Sequence, residues 1–137
     1  MERLDLIYRG AVAFGGSATV YLFGGWSALL GILLAFVVLD YLTGLIAAAI
    51  RGELSSSVGM RGIAKKVCIF VMVAIAHLVD KALGGTSLVQ DATIFFYLAN
   101  ELISIIENSG GIGIPVPEPI SKAVLVLKGK SGGEANG

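Results

Sequence analysis

WSALLGILLAFVVLDYLTGLIAAAI, residues 26–50, decides the fold. As a helix these 25 residues reach roughly 37 Å at about 1.5 Å per residue. That exceeds the roughly 30 Å hydrocarbon core of a bilayer and allows some tilt. One end carries Trp26, whose amphipathic ring prefers the headgroup region, and Arg51 closes the other. No polar face runs along the segment, so it cannot be the surface helix of a water-soluble domain.

The rest of the chain has the same character. Of 137 residues 55% are hydrophobic and 15% are charged, against about 25% charged in soluble domains. The mean hydropathy is +0.85. The expected fold is therefore an all-α integral membrane protein. Three further apolar segments are marked at about residues 10–25, 67–83 and 88–106. The first holds about 16 residues, five of them glycine, and reads as a short fourth span, a re-entrant hairpin or an interfacial helix. The last two flank a Gly-Gly turn and form an antiparallel hairpin. The expectation is three full transmembrane helices plus the short N-terminal segment.

Beyond Glu107, glycines and all three prolines predict a linker. Pro119 then opens a short helix over about 119–128. Residues 1–128 read as a single helical membrane domain, and 129–137 as a disordered tail. The N-terminus alternates acids and bases and does not read as a signal peptide. The lone Cys68 cannot form an intrachain disulfide.

Charge sets the expected orientation. The stretch 51–66 holds Arg51, Arg61, Lys65 and Lys66 against Glu53 alone and reads as a basic loop that touches anionic lipid. The opposite turn carries Asp80, Lys81 and Asp91. The positive-inside rule places the basic loop, and with it the C-terminal helix, in the cytoplasm. A fully crossing first segment puts the N-terminus there too.

Polar residues inside the spans are the candidate functional groups. Asp40, Thr43, Gly44 and Ala47 share one helical face, which reads as a helix-packing face or as a face toward a water-filled lumen. Tyr97, Asn100, Glu101, Ser104, Glu107 and Asn108 form a polar stripe. Two readings fit it: residence at the cytoplasmic boundary, or a pore lining or oligomer seam. His77, Asp80 and Lys81 also share a face, but no nucleophile accompanies them and no second histidine or cysteine pair makes a metal site. No enzyme activity, cofactor or metal is expected. The zero net charge offers no signature for nucleic acid.

Two blocks carry a family resemblance. LDYLTGLIAAAIRGELSSSVGMRGIAKKV, residues 39–67, has D-Y-x-T-G followed by a Ser-rich, Gly-containing, Lys-ending stretch. NELISIIENSGGIGIPVPEPISKAV, residues 100–124, has N-E-x-x-S-I-x-E-N, a Pro-x-Pro turn and a short Lys-bearing helix. In this order and spacing, over about residues 23–128, the chain resembles the phage lysis holins of the toxin-secretion group, holin family 4, which includes the clostridial toxin-releasing (TcdE-like) holins. The short, weakly charged tail departs from the strongly charged tails common in holins.

The resemblance implies a homo-oligomer in the bacterial cytoplasmic membrane, bound by lipid and by copies of itself. It implies lesions through which an endolysin, or a toxin, passes as cargo, followed by host cell lysis. The residues themselves leave open a small ion channel or transporter subunit, or a membrane partner that recruits a soluble protein.

Overall fold

A computed structural model describes residues 1–132 and contains five helices among them, with no strand. They are α1 (Glu2–Phe23), α2 (Ala28–Ile50), α3 (Ser56–Ala82), α4 (Leu88–Ile112) and α5 (Glu118–Ser131). The first four have 22, 23, 27 and 25 residues, and each is long and apolar enough to cross a membrane. The helices α2, α3, α4 and α5 follow one another antiparallel through short turns, whereas α1 makes no packing contact with α2 and touches α3 only through its last turns. The α1–α2 and α3–α4 turns therefore lie at one end, and the α2–α3 and α4–α5 turns at the other.

Local chemistry explains the boundaries. Ser27 and Ser55 precede α2 and α3, and their hydroxyls accept from the amides of Leu30 (3.1 Å) and Val58 (3.2 Å). These are N-caps, which satisfy donors that a helix start otherwise leaves unpaired. Gly24 ends α1 at φ 76°, and a Cβ there would stand 2.8 Å from His77 Cε1. Only glycine supplies both the left-handed backbone and the space.

The core is a three-helix seam. Leu30, Leu33 and Val37 of α2 meet Ile69 and Val73 of α3 and Ile94 and Leu98 of α4. The outward surface is apolar too, with Ile32, Val38, Leu42, Ile46, Val71 and Ile75 all exposed. That surface suits hydrocarbon rather than water. Among the described helices α1 has its packing contacts with α3, and it has no buried residue. The Gln90 amide donates to the Phe23 carbonyl at 2.9 Å and ties the end of α1 to the start of α4.

Four expectations from the sequence are corrected. The N-terminal segment is a 22-residue helix, longer than the 10–25 apolar run, because its first turns continue through Glu2, Arg3, Asp5 and Arg9. Hydropathy marks where a helix is apolar, whereas capping and propensity mark where it ends. The basic loop 51–66 shrinks to 51–55, since α3 starts at Ser56 and carries Arg61, Lys65 and Lys66 on its helix. The linker after Glu107 begins only at Gly113, because α4 continues through Gly110 and Gly111. Gly111 faces α2 there, with a Cβ position 3.6 Å from Ala47 Cβ. Finally, α5 runs to Ser131, so residues 129–131 are helical; residues 133–137 of the expected tail lie outside the described residues.

Asp80 holds the α3–α4 turn. Its side chain is fully buried and accepts from the amides of Val89 (2.9 Å) and Gln90 (2.8 Å) and the hydroxyl of Thr86 (3.2 Å). Ser87, the N-cap of α4, makes no such bond itself. A carboxylate from the preceding helix thus satisfies the first turn of α4 and complements its dipole. Leaving buried donors unpaired costs about 1–3 kcal/mol. Asp80→Ala is expected to destabilise the detergent-solubilised protein by that amount in a denaturant titration, with Asp80→Asn losing less. An unchanged midpoint for Asp80→Ala would remove the turn-capping role.

Candidate functional site: a buried ion cluster between three helices

Asp40 stands ten residues before the end of α2, Lys66 ten after the start of α3, and Glu101 eleven before the end of α4. At about 1.5 Å per residue all three lie some 15 Å from the same end of the bundle. That is near the middle of a hydrocarbon core roughly 30 Å thick. Antiparallel packing therefore brings one ammonium level with two carboxylates.

The geometry is closed. Asp40 and Glu101 are each 5% exposed, and the Lys66 side chain is 19% exposed. Lys66 Nζ donates to Glu101 Oε2 at 2.7 Å and also bonds Asp40 Oδ2. Asn108 Nδ2 stands 2.9 Å from Asp40 Oδ1 and 3.0 Å from Thr43 Oγ1. Thr43 in turn donates to the Leu39 carbonyl at 2.8 Å. Gly44 faces the same side chain, its Cβ position 3.5 Å from Asn108 Nδ2, an ordinary contact distance. Ala47 is buried beside Gly111. The Asp40, Thr43, Gly44, Ala47 face is thus packed against α4 within one chain. A cleft of about 390 Å³, lined by Gly44, Arg51, Lys65, Lys66, Ser104 and Asn108 among others, leads from the cluster toward the α2–α3 turn.

The stripe on α4 divides in two. Glu101 is buried, Tyr97, Ser104 and Asn108 are half-buried, and Asn100 and Glu107 are exposed. One continuous pore lining would need these residues on one free face, and the structure does not bring them together there. The basic residues divide as well. Arg51 pairs with Glu53 at 3.0 Å on the surface, and Arg61 and Lys65 are exposed, whereas Lys66 belongs to the cluster. Of the other shared face, His77 and Asp80 are buried and Lys81 is exposed.

Sequence reasoning missed the partnership of Lys66 with Asp40 and Glu101. The signal was the equal distance of the three from one end, and it emerges only when α3 starts at Ser56 rather than near residue 67. Breaking a buried ion pair by removing one partner costs about 3–5 kcal/mol, whereas replacing the whole set is often close to neutral. Lys66→Met alone is expected to lower stability in detergent by that amount. Adding Asp40→Asn and Glu101→Gln should recover most of it. A triple variant no more stable than Lys66→Met would mean that the cluster is not a self-contained unit.

Comparison with known proteins gives this arrangement a context. The sequence matches the bacteriophage holin family over residues 17–129. An uncharacterised protein of Listeria innocua is 46% identical over 131 residues, covering 96% of this chain and 94% of that one. An uncharacterised protein of Clostridium perfringens is 37% identical over 132 residues, covering 96% and 98%. A probable holin of Bacillus phage phi105 is 33% identical over 111 residues, covering 81% and 82%. No solved structure matches. With its four long apolar helices and a family match across most of its length, the chain is a multi-pass membrane protein and belongs to the bacteriophage holin family.

Proposed function

We propose that the chain accumulates in the bacterial cytoplasmic membrane, assembles with copies of itself, and opens lesions through which an endolysin reaches the cell wall. It acts without catalysis. Family membership supports the holin role. The observation that carries the assembly step is the closed interior of the single chain. Leu30, Leu33, Val73 and Ile94 fill the seam between α2, α3 and α4, and Lys66 ties up the charges at the middle of the bundle. A protein-sized passage therefore runs between chains rather than through one.

Charge supports the orientation. The α2–α3 turn end carries Arg51, Arg61 and Lys65, and Arg3 and Arg9 of α1 lie at the same end when α1 crosses. The opposite end has Lys81, with Lys130 of α5 about two turns of α4 in from it. The basic end faces the cytoplasm, and with it the N-terminus and the start of α5. Lipid and further copies of the chain are the partners, and the endolysin is cargo rather than a bound protein. A secreted toxin would take the same route.

Induced expression beside a cytoplasmic endolysin tests this reading, with culture density and release of a cytoplasmic reporter enzyme recorded together. The expected outcome is abrupt lysis with reporter release, absent when either gene is omitted. Ion leakage with the reporter retained would instead identify a small ion channel.

A further inference from the structure

The position of α5 is what the sequence leaves least expected. The chain turns at residues 113–117 and sends α5 back along α4 instead of away from the bundle. Val124 is buried in this contact and Leu127 packs against the core seam. Lys130 Nζ sits 5.6 Å from the centre of the Phe95 ring. Phe95 is only seven residues past the start of α4. The 14-residue α5, about 21 Å long, therefore lies beside the part of α4 that occupies hydrocarbon depth.

Its exposed surface is mixed, with Ile120, Leu125 and Val126 apolar. The charged and polar groups Glu118, Ser121, Lys122 and Lys128 are the part unsuited to lipid. Lys122 pairs with Glu118 at 3.1 Å, and among the described residues Lys128 has no carboxylate within ion-pair distance. Asn100 and Glu107, the exposed part of the α4 stripe, add further polar surface. Charged groups at this depth face a protein interior or water, and re-entrant segments persist where they line an aqueous cavity. The inner face of α5 is already covered by α4, so the outer face is the one left to meet water.

Resting on the lesion reading above, we propose that α5 is a re-entrant helix whose Ser121, Leu125, Lys128 face borders the water of the assembled hole. The buried Asp40, Lys66, Glu101 cluster holds each protomer together behind it. The lumen is thus lined by the helix after the last span rather than by the intramembrane acids.

Cysteine accessibility tests this. Cys68 is replaced by alanine, and single cysteines are placed at Ser121, Leu125 and Lys128, at the covered positions Ala123, Val124 and Leu127, and at the lipid-facing Val38 and Leu42. A charged, membrane-impermeant thiol reagent is added to induced cells before and after reporter release. Before release all thiols should remain free. After it, thiols at 121, 125 and 128 should be lost to the reagent while the other five persist. Reporter release with 121, 125 and 128 unmodified would overturn the inference and leave the lesion reading standing. Equal modification of all six α5 positions would also overturn it, since α5 would then be detached in water. Failure of the unsubstituted chain to release the reporter would overturn both. Ser121→Cys is nearly isosteric, so at least one informative variant keeps the native packing.

Discussion

In water an ion pair is a minor contribution, but in hydrocarbon it decides what can be inserted at all. A lone carboxylate at the centre of a spanning helix costs about 2.5–3.5 kcal/mol on an insertion scale. This chain places two there, Asp40 and Glu101, and meets both with Lys66. The consequence is geometric as well as energetic. Any relative sliding of α2, α3 or α4 separates the charges, so the cluster fixes the register of the three helices that form the core. Hydrophobic packing alone does this poorly in a membrane, where lipid tails are as apolar as Leu30 or Ile94. Asn108 extends the restraint by bonding Asp40 and Thr43 from the last turns of α4.

The outer helices are bound far less firmly. Among the described residues α1 packs on α3, is tied to α4 by one hydrogen bond, and buries no residue. Arg9 and the three charges before it leave 14 apolar or small residues, 10–23, or about 21 Å of helix. That is shorter than the roughly 30 Å hydrocarbon core, so an α1 that crosses requires a thinned bilayer or an Arg9 that snorkels toward the headgroups. The two restraints at the opposite end, the Asp80 cap on α4 and the Gln90 bond to the Phe23 carbonyl, hold α1 and the hairpin in place there. One end of the molecule is thus closed by hydrogen bonds, while the other carries exposed basic residues.

Much of this was legible in the sequence, and the rest was not for identifiable reasons. Residues 26–50 announce a spanning helix because an uninterrupted apolar run of that length has few other uses. Pro119 marks the start of α5 because proline suits a first turn. Helix ends were harder: α3 begins 11 residues before its apolar run, through a polar stretch whose only signal is the Ser55 cap. That single displacement hid the ion cluster, because Lys66 read as a loop residue. The candidate faces were visible as periodicities, but periodicity does not say which neighbour a face meets. Asp40 to Ala47 turned toward α4, and the α4 stripe split between an interior half and an exposed half.

The polar groups divide into a buried set and an exposed set, and the proposed lesion uses only the second. Asp40, Glu101 and Asp80 are buried within the protomer and Lys66 is bonded to two of them, so a neighbouring copy does not reach these groups. Groups left outside, on α5 and at Asn100 and Glu107, are costly against lipid. In the proposed lesion that cost falls when several copies enclose water, so assembly would draw its free energy from relieving exposure rather than from exchanging partners inside each protomer.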